Sequence, residues 1–155
     1  MELWKNLFLR ERKSPWYLDM VIDAGRLRRW RRRGFYSEQA LVKRLLSRKY
    51  GAVRIPCSNP SQEYLPDVFA SKDGEVYAFE VKKQRRYVYI RKDQIRKLFD
   101  FLDLIPIHES HKHAIIACHF GKKWKFQEIK KEDFESLKEE EPLRITKSSR
   151  GNWKP

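Results

Sequence analysis

The apolar positions of this chain change period several times along its length. Leu41, Val42, Leu45 and Leu46 recur at helical spacing and predict a helix over residues 35–50, with Gly51 as its stop. Residues 52–56 then read as a short strand, followed by a turn-rich loop over 56–66. A second strand starts at 68–70, Asp73-Gly74 is a hairpin signal, and 76–81 forms a third strand. The helical period returns over 93–104 with Ile95, Leu98, Phe99 and Leu102. An apolar strand at 113–120, a turn at Gly121-Lys122-Lys123 and a strand at 124–129 follow. The charged stretch 130–141 predicts a short helix, and a mobile tail runs on from Pro142. Helix, three strands, helix, two strands is a mixed α/β order in which a helix connects strands of one sheet.

With 155 residues, 41% of them hydrophobic and 14% aromatic, the chain can fold one domain around a sizeable core. Its two cysteines, Cys57 and Cys118, exclude a disulfide framework or a four-thiolate zinc site. No apolar run has the length of a membrane span, and the N-terminus lacks the pattern of a signal peptide, so a cytoplasmic location without membrane contact is expected. The four histidines, His108, His111, His113 and His119, have no spacing that points to a metal site.

Charge changes the picture. Lys and Arg total 35 against 21 Asp and Glu, a formal net charge of +14. Arg26, Arg28, Arg29, Arg31, Arg32 and Arg33 crowd around Trp30, and the stretch 82–97 carries eight Lys or Arg against the single acid Asp93. Such fields attract polyanions and predict binding that weakens steeply as salt rises. A solubility face or a contact with anionic lipid would account for the charge alone.

The acids are more telling than the bases. Glu38 lies three, four and seven positions before Leu41, Val42 and Leu45 and so shares their inward stripe, although a first-turn glutamate also suits the positive end of a helix. Asp67 follows Pro66 where a loop enters a strand. Glu80 and Lys82, two apart on the strongest strand, point to one face beside the small Ala78, while Phe79 and Val81 point to the other. Two carboxylates meeting in a poorly hydrated cleft repel unless a divalent cation holds them, and oxygen donors suit Mg²⁺ or Mn²⁺. A surface ion pair between Glu80 and Lys82 is the simpler account of that pair on its own.

Taken together, Pro66-Asp67, the hairpin and Glu80-Val81-Lys82 resemble the Pro-Asp…Glu-x-Lys nuclease superfamily. From about residue 33 to 129 the chain is similar to the archaeal-type Holliday junction resolvases, which also occur in viruses of prokaryotes. The match includes Gly34-Phe35-Tyr36-Ser37-Glu38, Val53-Arg54-Ile55-Pro56-Cys57-Ser58, Phe79-Glu80-Val81-Lys82, Tyr89-Ile90, Gln94 and Trp124-Lys125-Phe126. Gln39 stands where the family usually has arginine, and the chain before Glu38 is longer than usual for the family.

The resemblance implies a restriction-endonuclease-like fold, a mixed central sheet of about five strands flanked by helices. It divides the chain into an N-terminal extension (1–27), a nuclease domain (28–141) and a basic C-terminal tail (142–155). It implies Glu38, Asp67 and Glu80 as ligands of Mg²⁺, with Mn²⁺ as a substitute, and Lys82 and Ser58 as further catalytic residues. Arg54 and Gln94 would support the site or touch DNA, and Arg28, Arg29, Arg31, Arg32, Arg33, Lys83, Arg85 and Arg86 are the basic candidates for DNA contact. The implied activity is resolution of four-way DNA junctions by hydrolysis of phosphodiesters. The alternatives are a related nuclease of repair or restriction and a non-catalytic module that binds branched DNA. The two-fold symmetry of a junction implies a homodimer; Phe99, Phe101 and Leu102, or the strand at 115–120, are candidates for its interface. A nucleoid-associated cytoplasmic protein, or a viral one in host cytoplasm, is the expected setting.

Overall fold

A computed structural model describes residues 24–56 and 65–155. Residues 24–32 belong to a first unit and residues 33–155 to a second, and each is treated by itself. The first described helix, α1 (Ala24–Leu46), has residues in both and begins well before residue 35. Its early turns are rich in arginine, a strong helix former, but carry no clean apolar stripe, so periodicity alone starts the helix too late. The helix ends at Leu46, and the stop that follows it is made at Lys49, not at Gly51. Lys49 takes a left-handed backbone (φ 64°), and the Tyr50 N–H returns to the Leu45 carbonyl at 3.1 Å.

Strands β1 (Gly51–Arg54), β2 (Val68–Lys72) and β3 (Glu75–Gln84) form successive antiparallel pairs. A two-residue turn joins β2 to β3, with Asp73 at φ 51° and Gly74 at φ 84°, the double left-handed geometry that fits the twist of a tight hairpin. After β4 (Tyr87–Ile90), helix α2 (Lys92–Asp103) makes the crossover that lets β5 (Lys112–Phe120) pair parallel to β3. Strand β6 (Lys123–Ile129) pairs back on β5, giving the mixed order β1-β2-β3-β5-β6. The expected sheet of five strands is present. Helix α3 (Lys131–Ser136) and strand β7 (Leu143–Thr146) complete the second unit.

Alternation along β3 and β5 divides the core into two layers. Ala78, Ala114, Ile116 and Cys118 pack with Ile95, Leu98 and Leu102 of α2. Tyr77, Phe79, Ile115 and Ala117 pack on the other face with Leu41 and Leu45 of α1. This arrangement buries most of the candidate dimer surfaces within the chain and leaves Phe99 and Phe101 half-buried. Leu102 and Ile115, Ile116 and Ala117 are buried within the chain, Phe99 packs on Phe134, and Phe101 meets Phe69 at 5.7 Å between ring centroids.

The segment after Pro142 departs most from expectation. Instead of a mobile tail, it forms β7, which pairs with β4 as a separate two-stranded sheet. Further on, Asn152 grips the Glu128 backbone through two hydrogen bonds of 2.7 and 3.0 Å. Trp153 packs among Tyr50, Tyr77, Phe79 and Phe126, with ring centroids 5.4–6.2 Å away. Gly151 is required by close approach: a Cβ there would lie 2.6 Å from the Phe126 carbonyl oxygen. A single late tryptophan has no period to reveal it, so the sequence pattern misses this strap. Removing residues 151–155 should lower stability by about 2–4 kcal/mol, the scale of deleting a large aromatic side chain, as read by urea denaturation. An unchanged midpoint would mean that the strap does not hold the core.

Candidate active site

The β2–β3 hairpin sets two acids against each other. Val68 pairs with Phe79, and the register carried one step further places Asp67 opposite Glu80. The Asp67 N–H donates to the Phe79 carbonyl at 2.9 Å, and the Val81 N–H donates to Asp67 Oδ2 at 2.7 Å. Alternation then puts Ala78, Glu80 and Lys82 on the α2 face of β3.

Glu80 is 2% exposed, which would be costly for a lone carboxylate. It is not alone. Lys82 Nζ lies 2.7 Å from Oε1, the Lys97 ammonium pairs with Oε2, and the Gln94 side-chain amide donates to Oε1 at 3.4 Å. The carbonyl end of Gln94 meanwhile accepts the Arg91 N–H at 3.2 Å and so helps start α2. One side chain thus joins the helix start to the acid. Lys97 is the residue that sequence reasoning missed. It stands three positions beyond Gln94 on the same helical face, a spacing that would have found it once Gln94 was taken as inward. Its charge is turned onto Glu80, although it belongs to a stretch otherwise read as a polyanion surface.

Among the described residues, Asp67 has no ammonium paired with it in this way. Burial, with the facing Glu80 charge second, pushes its carboxyl up to about 6, against the Val81 hydrogen bond and the more distant Lys97. The Glu38 charge raises it further. Glu38 therefore stands within electrostatic reach, but its own partner lies elsewhere: Arg54 Nε donates to Glu38 Oε2 at 2.8 Å. The Arg54 guanidinium also sits 4.6 Å from the centroid of the Phe35 ring.

The expected cluster of three acids is therefore two acids and a neighbour. Asp67 and Glu80 face each other, whereas Glu38 is carried by the helix on the opposite layer and is engaged by Arg54. Among the described residues no three His, Cys, Asp or Glu side chains close into a set of metal ligands. The Asp67–Glu80 pair nevertheless fits a hard divalent cation. Its donors are all oxygen, and the burial and facing Glu80 charge that raise the Asp67 carboxyl are a cost that a cation between the acids would offset.

Of the basic candidates, Arg28, Arg29 and Arg32 are exposed on the part of α1 in the first unit, and Arg33 is exposed in the second. Lys83, Arg85 and Arg86 are exposed where β3 turns toward β4. Ser58 and the Arg31 side chain lie outside the described residues. Behind Glu38, the buried Ser37 hydroxyl contacts His119 Nδ1 at 3.3 Å, and His119 stacks on Trp124 at 4.2 Å.

The archaeal Holliday junction resolvase (hjc) family model matches residues 29–149. The chain is 39% identical over 100 residues to the crossover junction endodeoxyribonuclease Hje of Sulfolobus acidocaldarius, covering 63% of this chain and 70% of that protein. It is 33% identical over 93 residues to the crossover junction endodeoxyribonuclease of Sulfolobus islandicus rod-shaped virus 1, covering 59% of this chain and 75% of the viral protein. The fold is similar to that of Archaeoglobus fulgidus Hjc, a Holliday junction resolvase, with a TM-score of 0.59 and 22% identity over 74% of this chain and 89% of the other.

The raised Asp67 carboxyl has a stability consequence of definite sign. Its folded pKa of about 6 lies above the ordinary 3.8, so the ionised form is disfavoured by folding. The penalty is absent below about pH 4, grows as pH rises, and is complete above about pH 6. Asp67→Asn keeps an acceptor for the Val81 N–H and removes the charge. Without divalent ions it should stabilise the protein at pH 7.5 by up to about 3 kcal/mol, a gain that vanishes by about pH 4. Denaturation at the two pH values checks this, and an equal effect at both would refute it.

Proposed function

The chain belongs to the archaeal Holliday junction resolvase family, and from that premise we propose that it cuts four-way DNA junctions at the Asp67–Glu80 site with a divalent metal ion. The nuclease assignment follows from the family. The metal, the site residues and the dimer are our own inference. The observation that carries it is a pair of facing acids, Glu80 buried and Asp67 half-buried, with an ammonium group 2.7 Å from Glu80.

Asp67 and Glu80 would hold Mg²⁺, or Mn²⁺ in its place, with Glu38 as a further oxygen donor. When bound, the ion makes a water more acidic and takes up negative charge on the phosphate. Lys82 is tied to Glu80, so its ammonium is held at the site without a search among rotamers. There it offsets charge that grows on the phosphate oxygens as the bond to phosphorus breaks. Gln94 and Lys97 fix the Glu80 carboxylate from the α2 side. Arg54 restrains Glu38 through its ion pair, and its charge suits a phosphate on the incoming strand.

The basic candidates would supply affinity instead of chemistry. Arg28, Arg29, Arg31, Arg32, Arg33, Lys83, Arg85 and Arg86 would contact backbone phosphates, which fixes position and carries little sequence information. Two opposed strands are cut when a junction is resolved, so a two-fold symmetric homodimer with one site per chain is the assembly that fits the substrate.

Cutting should require Mg²⁺ and should favour a four-way junction over linear duplex and flap DNA. Asp67→Ala and Glu80→Ala should each abolish cutting while the junction is still bound in a gel-shift assay. Cleavage that survives in both variants would remove the pair from the reaction. Replacing Arg28, Arg29, Arg32 and Arg33 by alanine should lower the slope of log affinity against log salt by about 1 for each phosphate no longer neutralised. An unchanged slope would assign those arginines no phosphate.

A further inference from the structure

Beyond the acids, the chain carries a second surface with a distinct chemistry. Along β4, Val88 and Ile90 are buried while Tyr87 and Tyr89 point outward, 45% and 53% exposed. Large aromatic rings side by side on open surface mark a place that a partner covers. The two rings meet edge to face at 5.4 Å, and the Arg144 guanidinium of β7 lies 5.1 Å from the Tyr87 centroid. Register places Arg144 opposite Tyr89 on the paired strand.

A cleft of about 730 Å³ leads from Lys82 past Lys83, Arg85 and Arg86 to these tyrosines, with no acid among the described residues that line it. Its charge selects a polyanion, and its aromatic end selects a partner with flat π faces. A nucleic acid strand with an unstacked base has both. Phosphates would follow the basic part of the cleft, and a base would leave its neighbours to lie on a tyrosine.

We infer that Tyr87 and Tyr89 form a stacking platform for an unpaired base at the branch point, through which the enzyme tells branched DNA from intact duplex. This rests on the reading of the chain as a junction nuclease and adds the means of substrate choice. Bases in an intact duplex pay the full cost of unstacking, whereas those beside a branch pay less. A platform that rewards an exposed base therefore favours the junction. Lys82 both lines the cleft and pairs with the Glu80 carboxylate, so the captured strand would be led to the acids.

The test uses the full chain with Ca²⁺ in place of Mg²⁺ and four-way junctions carrying 2-aminopurine beside the branch. The wild type and the Tyr87→Phe/Tyr89→Phe double variant should give the same change in 2-aminopurine lifetime. Tyr87→Leu/Tyr89→Leu should lose that change, and its preference for junction over duplex should fall about tenfold with duplex affinity kept. A leucine variant that retains both lifetime change and preference would overturn the inference. So would a leucine variant that changes only its mass in light scattering, which would make the face a contact between copies of the chain. A wild type with no preference for junctions would instead refute the function on which the inference rests.

Discussion

Two carboxylates held face to face across a strand pairing repel each other, and the fold around them is arranged to tolerate that repulsion. The β2–β3 turn fixes the register that opposes Asp67 to Glu80. A slip of one residue would turn Glu80 into the apolar layer around Leu41, away from Lys97, and would bring Phe79 out toward α2. Register is thus a chemical requirement as well as a packing one. Glu80 is neutralised by Lys82 and Lys97, whereas Asp67 has the Val81 N–H and a raised carboxyl. That asymmetry marks Asp67 as the point where a bound cation would relieve the most.

The two layers contribute differently to the site. Helix α2 supplies Gln94 and Lys97 from directly over the strand that bears Glu80, and the capping contact of Gln94 couples the start of that helix to the acid. Helix α1 brings Glu38 from the other layer, where the Arg54 ion pair and the ring of Phe35 steady it. The same division explains why Glu38 is near in charge and yet has a separate partner.

Much of this is legible in the chain itself. The alternation in Ala78–Lys82 determines which side chains share a face, Asp73-Gly74 announces the hairpin, and Pro66-Asp67 marks the second acid. The apolar stripes locate both core helices. What escapes has physical causes. The arginine-rich turns of α1 fold by propensity without a stripe. Tyr87–Ile90 is too short and too flanked by charge to stand out as a strand, and its partner Leu143–Thr146 lies far along the chain. Trp153 finds its place only through tertiary packing. Lys97 is hidden in a run of like charges, and only its spacing from an inward Gln94 separates its ammonium from those in solvent. Arg54 reads as a support for the site, but its bond to Glu38 needs both elements in space.

The central claim is that Asp67 and Glu80 together bind the ion that the reaction needs. Titration of Mn²⁺ followed by electron paramagnetic resonance, with the DNA junction present, tests it most directly on wild type, Asp67→Asn and Glu80→Gln. Saturable binding in the wild type, lost in both folded variants, is the predicted result. Equal binding in all three proteins would contradict the account.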